Sequence, residues 1–279
     1  MATSHILAGS ATLIALSVAT VAQAPTTQTA TTTPVVNASA PASPAPLPPA
    51  LTSCVELAAA VRTVAANDAR MRDWSNLSRY RESNRSVGPA DVVFMGDSIT
   101  DFWALGRYGD FFPGKRYVGR GISGQTTPQM VLRFRPDVLN LKPKVVVILA
   151  GTNDIAGNTG PMTDEEIEGH LATMSELAAG AGVRVILSSI LPTSDYHVAA
   201  NAAPQTTTRP LNRIRAINDW MKSYAAAQHH IYLDYFPAVH DGRGMLRSEF
   251  SADDLHPNAA GYAAMAPLAQ AAIDEALAR

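Results

Sequence analysis

Residues 91–100 read D-V-V-F-M-G-D-S-I-T, so four apolar residues, Val92 to Met95, run straight into Gly96-Asp97-Ser98. A serine at the end of such a run can be a helix N-cap, a turn residue or a nucleophile. Only a nucleophile makes demands elsewhere in the chain. It needs a base to take its proton, a group to orient that base, and donors for a developing oxyanion. Three other polar clusters could meet those demands. Gly119-Arg120-Gly121-Ile122-Ser123-Gly124-Gln125-Thr126-Thr127 and Gly151-Thr152-Asn153-Asp154 each follow an apolar stretch, and Asp253-Asp254-Leu255-His256-Pro257-Asn258 precedes the last helical pattern. His256 is the candidate base, able to take the Ser98 proton and return it to a leaving alcohol. Asp253 lies three residues before it, within one loop turn, and Asp254 is an alternative orienter. Pro257 stiffens the chain directly after His256.

These clusters work together only if the elements between them converge. Strand patterns fall at Val92–Met95, Tyr117–Gly119, Val145–Leu149, Val183–Ser188 and Ile231–Leu233. V-V-V-I-L and V-R-V-I-L have the nearly continuous apolar character of parallel strands covered on both faces. Helical patterns lie at about 126–140, 164–181, 209–228 and 258–278, and Leu57, Val61 and Val64 predict an earlier helix over Cys54–Arg72. Thr163-Asp164-Glu165-Glu166 is a helix start, with an N-cap and an acidic first turn. Alternating strands and helices imply one doubly wound α/β domain, whose site lies beyond the carboxyl ends of the strands. The first three clusters follow strand ends and so should meet at that edge.

With these four blocks in this order, the chain resembles the SGNH hydrolases, also called GDSL esterases: G-D-S-I-T around Ser98, G-I-S-G-Q-T-T around Gly124, G-T-N-D around Asn153, and D-D-L-H-P around Asp253 and His256. R-G-I-S-G-Q-T-T and L-H-P-N-A-A-G-Y liken it further to the small acylhydrolases similar to platelet-activating-factor acetylhydrolase catalytic subunits. Ile99 stands where that family usually has the leucine of G-D-S-L. The resemblance implies a three-layer α/β/α domain around a five-stranded, mainly parallel, flavodoxin-like sheet. It implies Ser98, Asp253 and His256 as catalytic residues, and the family spacing favours Asp253 over Asp254. It implies an oxyanion hole of the Ser98 N–H, the Gly124 N–H and the Asn153 amide. Gly121 could replace Gly124 but reads better as a turn residue.

Around this set, Asp97 and Asp154 read as loop braces. Phe102 and Trp103 pack in the core or line the acyl pocket, so Trp103 is a candidate substrate contact. Arg133 and Arg135 are expected to solvate a helix face. The long stretch 192–210 either borders the alcohol side of the pocket, with Tyr196 or His197 reaching in, or is a solvent loop.

The chain has 279 residues, 47% hydrophobic and 16% charged, with a net charge of -2, so there is a sizeable core and no basic face for nucleic acid. Residues 1–24 have the form of an export signal ending in Ala22-Gln23-Ala24, followed by a linker, 25–50, with seven prolines, and the hydrolase domain, 51–279. An exported protein, periplasmic or extracellular, without a lasting membrane span is therefore expected. Cys54, the only cysteine, ends a lipobox-like L-T-S-C, but that box lies too far from the apolar leader and Cys54 reads as an ordinary helix-start residue. No Cys/His cluster has zinc spacing, and the chemistry calls for no metal or cofactor. The expected activity is hydrolysis of short-chain carboxylic esters through an acyl-enzyme, on carbohydrate acetyl groups or on lipid and aryl esters, with the oligomeric state open. Two competing functions are a metal-dependent phosphoesterase, disfavoured by the missing D-x-H at the first strand, and a non-catalytic envelope-binding domain.

Overall fold

Five short strands, rich in β-branched residues, organise the chain: β1 (Val92–Gly96), β2 (Tyr117–Gly121), β3 (Val145–Leu149), β4 (Arg184–Ser188) and β5 (Ile231–Leu233). In the computed structural model, which describes residues 54–279, all five are parallel in the order β2-β1-β3-β4-β5. The proposed leader, 1–24, and linker, 25–50, lie outside the described residues. That strand order is the flavodoxin-like doubly wound arrangement.

The connecting helices are α1 (Cys54–Arg72), α2 (Ser83–Ser86), α3 (Ser98–Ala104), α4 (Thr127–Asp137), α5 (Thr152–Ile155), α6 (Asp164–Gly180), α7 (Gln205–Thr208), α8 (Leu211–Ala227), α9 (Phe236–Val239) and α10 (Ala259–Ala278). Because side chains alternate along a strand, each strand feeds two cores. Val93, Met95, Val146, Ile148, Val185 and Leu187 pack with Met130 and Phe134 of α4, Leu171 of α6 and Ile217 of α8. Val92, Phe94, Val145, Val147 and Ile186 pack with Ile99 and Trp103 of α3, Val239 of α9 and Met265 and Ile273 of α10. The result is the three-layer α/β/α sandwich that the alternating pattern implies.

Local chemistry sets the helix ends. At α6 the Thr163 hydroxyl accepts from Glu166 N at 3.2 Å while Glu166 accepts from Thr163 N at 2.8 Å, a capping box. Asn258 caps α10 by accepting from Ala260 N and Gly261 N. The pattern over 126–140 divides into α4 and a 3₁₀ turn, Leu139–Leu141. Pro136, which has no N–H to donate, stands one residue before the end of α4. The register pairs Gly96 with both Gly121 and Leu149, so β1, β2 and β3 finish level. The three loops that follow them therefore start from one edge. Helix α1 forms where the apolar spacing predicts it, yet Leu57, Val61 and Val64 are exposed. Among the described residues no helix is long and apolar enough to cross a membrane.

Candidate active site

Ser98 is the first residue of α3, directly beyond β1, and is buried. Asp97 caps that helix, its Oδ1 accepting from Ile99 N at 3.0 Å. The glycine before it serves close packing rather than a special turn. A Cβ on Gly96 would lie 2.2 Å from Thr100 Oγ1 and 2.7 Å from the Leu149 carbonyl. Gly121 likewise ends β2 instead of making a turn, and a Cβ there would lie 2.1 Å from Asp101 N. Glycines at these strand ends let α3 settle onto the sheet edge and hold Ser98 there.

The loop before α10 brings His256 to the same point. His256 Nε2 lies 2.8 Å from Ser98 Oγ across 158 positions of sequence. On the other side of the ring, Nδ1 lies 2.7 Å from Asp253 Oδ2. Asp253 Oδ1 also accepts from His256 N at 2.8 Å and Leu255 N at 3.2 Å. Partial burial works against the Asp253 charge, but the hydrogen bonds from the His256 side chain and backbone outweigh it and hold the carboxyl well below the usual carboxylate range. The Phe102 ring sits 5.0 Å from the imidazole. Asp254, with a left-handed φ of 67°, belongs to another structure: it accepts from Ser194 Oγ at 2.6 Å, Tyr196 N at 2.9 Å and His197 N at 2.7 Å.

Three candidate donors follow the ends of β1, β2 and β3. The Ser98 N–H opens a helix and so has no intrahelical acceptor. Gly124 adopts φ +80°, a conformation glycine takes at no steric cost, and its carbonyl is held by Asn158 Nδ2 at 3.1 Å. Asn153 donates one amide hydrogen from Nδ2 to the Gln125 carbonyl at 3.0 Å, leaving the second for another acceptor. Asp154 ties the same loop to α4 by accepting from Thr127 N at 2.8 Å and from the Thr127 hydroxyl.

One expected placement is corrected, and others are located. Arg133 does not solvate a helix face: it is fully buried and donates to the Gly96 carbonyl at 2.9 Å, the Arg120 carbonyl at 2.8 Å and Asp137 at 3.2 Å. The strand-end carbonyls beneath the site need donors that water cannot reach, and Arg133 supplies them. Arg135, two residues on, is exposed as expected. Trp103 is a core residue, 5.1 Å from Tyr262 and 6.0 Å from Phe94 between ring centres. Tyr196 gives its hydroxyl to Asp241 and receives from Arg243, and His197 Nδ1 lies 3.1 Å from Asp254. The stretch 192–210 is pinned by Asp254 near its start and contains α7.

Arg209, at the end of that stretch, was not anticipated. It is buried, donates from Nε to Thr152 Oγ1 at 3.1 Å, and its Nη2 lies 3.4 Å from Asn153 Oδ1. No periodicity marks a lone arginine ahead of a proline as a buried group. Asp97, 0% exposed, has its carboxyl pushed up to about 6 by burial, only partly offset by the Ile99 N–H and the His256 and Arg209 charges. Among the described residues no three His, Cys, Asp or Glu side chains cluster in a way that could hold a metal ion.

This geometry can transfer a proton from a hydroxyl to an imidazole and offer N–H groups to a nearby anion. The family model described as GDSL-like Lipase/Acylhydrolase matches residues 94–264. A solved GDSL-like lipase from Bacteroides thetaiotaomicron is 37% identical with a TM-score of 0.65, covering 72% of this chain and 98% of that one. The uncharacterized lipoprotein YqeF of Bacillus subtilis is 32% identical over 124 residues, 38% of this chain and 50% of that protein, so the chain spans about half the length of this curated relative. The Platelet-activating factor acetylhydrolase IB subunit beta homolog of Drosophila melanogaster is 23% identical over 180 residues, 58% of this chain and 76% of that protein.

Proposed function

The chain belongs to the GDSL-like lipase/acylhydrolase family, and on that premise we propose that it is a serine esterase cleaving short-chain carboxylic esters through an acyl-enzyme. The observation that carries this is the 2.8 Å contact between His256 Nε2 and Ser98 Oγ. His256 Nε2 takes the hydroxyl proton as Ser98 Oγ attacks the ester carbonyl. Asp253 keeps the Nδ1 proton in place, so that Nε2 is the free base, and stabilises the imidazolium that forms. The carbonyl oxygen, now negative, is met by the Ser98 N–H, the Gly124 N–H and the remaining Asn153 amide hydrogen. The tetrahedral intermediate collapses as His256 returns its proton to the leaving alcohol. A water then repeats the sequence on the acyl-enzyme, releasing the acid and restoring Ser98. We further assign 1–24 to an export signal, 25–50 to a linker and 51–279 to the hydrolase, acting outside the cytoplasm. The lipoprotein among its relatives supports an exported setting.

Hydrolysis of p-nitrophenyl esters from acetate to decanoate by wild type and Ser98→Ala tests the mechanism. Activity is expected to be highest on the shortest chains and to vanish in the variant. An alanine variant that turns over at the wild-type rate would falsify the nucleophile assignment.

A further inference from the structure

Beside Gly124 lies a pocket of about 590 Å³ that the acyl-transfer chemistry leaves unused. Its inner wall is the loop carrying Gly124, and its outer wall is the turn 73–78. That turn precedes the region matched by the family model, 94–264.

The wall is built rather than draped. Asp73 accepts from Leu77 N at 2.6 Å and from Ser78 N at 2.9 Å, which closes the turn. Gln125 Nε2 donates to the Ser75 carbonyl at 2.7 Å and Gln129 Nε2 to the Trp74 carbonyl at 2.6 Å, which ties the turn to the oxyanion loop. Both glutamines are buried, so these bonds are sheltered from water. The Trp74 backbone is thereby fixed beside the Gly124 loop, while Trp74 as a residue remains 38% exposed and lines the pocket.

The lining selects a ligand class. No Lys, Arg or His lines the pocket, and Asp73 does, so it offers no positive charge to a phosphate or carboxylate. Ile122 is its only aliphatic side chain, so a fatty acyl chain would have almost no apolar wall to cover it. A quaternary ammonium group would want a cage of several rings, and Trp74 stands alone with the Asp73 carboxylate already engaged by two backbone N–H groups. What remains is one aromatic face among amides and hydroxyls. Asn76 keeps its NH₂ group and Asn158 its carbonyl oxygen without partners among the described residues. The volume also far exceeds what a short acyl group fills, and it is in the range of pockets that hold whole small ligands.

We propose that this pocket binds a neutral saccharide on the alcohol side of the ester, with a sugar ring against Trp74 and its hydroxyls on Asn76 and Asn158. The substrate of the enzyme is then an O-acylated carbohydrate. This assignment rests on the serine esterase mechanism proposed above.

The test compares p-nitrophenyl acetate with a panel of O-acetylated oligosaccharides of xylose, glucose and N-acetylglucosamine, using wild type, Trp74→Ala and Trp74→Phe. At least one saccharide ester is expected to exceed p-nitrophenyl acetate in kcat/KM. Trp74→Ala should lower the ratio of the two kcat/KM values about tenfold or more, mainly through KM, and Trp74→Phe should restore most of it. Calorimetric titration of the Ser98→Ala protein with the preferred saccharide ester should show binding that the added Trp74→Ala change weakens by a similar factor. This reads the pocket without turnover, and thermal unfolding identifies any variant that fails to fold. If wild type cleaves p-nitrophenyl acetate but no saccharide ester, or if Trp74→Ala lowers both substrates equally, the saccharide assignment falls and the esterase mechanism stands. If wild type cleaves neither, or Ser98→Ala cleaves both, the esterase mechanism falls and takes the assignment with it.

Discussion

Asp253 and Asp254 are neighbours in the chain, yet they hold different structures in place. Asp253 Oδ2 lies 2.7 Å from His256 Nδ1, whereas Asp254 gathers Ser194 Oγ, Tyr196 N and His197 N. The left-handed backbone at Asp254 lets adjacent side chains serve different partners, and Asp is among the residues that tolerate it.

The two asparagine variants should therefore separate. Asp253→Asn presents an amide to a ring nitrogen that needs an acceptor, so kcat on p-nitrophenyl acetate should fall by about 10²–10⁴. The Asp253 side chain is 56% exposed, so its direct contribution to stability is small and the melting temperature should barely change. Asp254→Asn should spare kcat by comparison and speed amide hydrogen exchange at Tyr196 and His197. Equal loss of kcat in both variants would show that the choice between the two carboxylates was wrong.

In the proposed mechanism Arg209 acts through Asn153. By approaching Asn153 Oδ1 at 3.4 Å it fixes which end of the amide faces away from the site. Asn153→Ala should cost about 10²–10³ in kcat with little change in KM. Arg209→Ala should cost about 10- to 100-fold by letting the amide drift. The double variant should resemble Asn153→Ala alone, because one effect runs through the other. Additive losses would mean that Arg209 serves the fold or the substrate directly.

The pH dependence of stability should carry the mark of Asp97. Its carboxyl rises from the ordinary 3.8 to about 6 because burial penalises the charge. The folded state then binds the proton more tightly than the unfolded chain, so stability declines as pH rises from about 4 to about 6 and is level above. At about 1.4 kcal/mol for each tenfold change in proton affinity, the decline is on the order of 3 kcal/mol. Asp97→Asn keeps an oxygen for Ile99 N and removes the titration. Urea unfolding between pH 4 and pH 7 should show wild type losing ground to this variant as pH rises. A constant difference across that range would contradict the buried charge.

Two arginines in one helix should behave in opposite ways. Arg133→Met takes the arginine's charge and donors from buried Asp137 and from the Gly96 and Arg120 carbonyls, leaving Asp137 only Asn84 Nδ2 and Gly96 only Ile122 N, and should cost about 3–5 kcal/mol in urea unfolding. Exposed Arg135→Ala should stay within about 0.5 kcal/mol.

Much of this molecule is written locally. V-V-V-I-L and V-R-V-I-L declare doubly covered strands because a fully buried strand needs apolar residues on both faces, and β3 and β5 begin and end where their patterns do. The helix start at Thr163 is legible because a cap uses only neighbouring residues. Ser98, Asn153 and His256 stand out because each lies in a short block beside a strand end or before the last helix. The fates of Arg133, Arg209, Trp103 and Tyr196 belong to the tertiary structure alone. A long polar side chain reads the same in sequence whether it meets water or a buried carbonyl, and an aromatic ring reads the same whether it lines a pocket or fills a core. Which of these it does depends on partners many positions away, such as Gly96 for Arg133, Asn153 for Arg209, Tyr262 for Trp103 and Asp241 for Tyr196, that only the folded chain brings within reach.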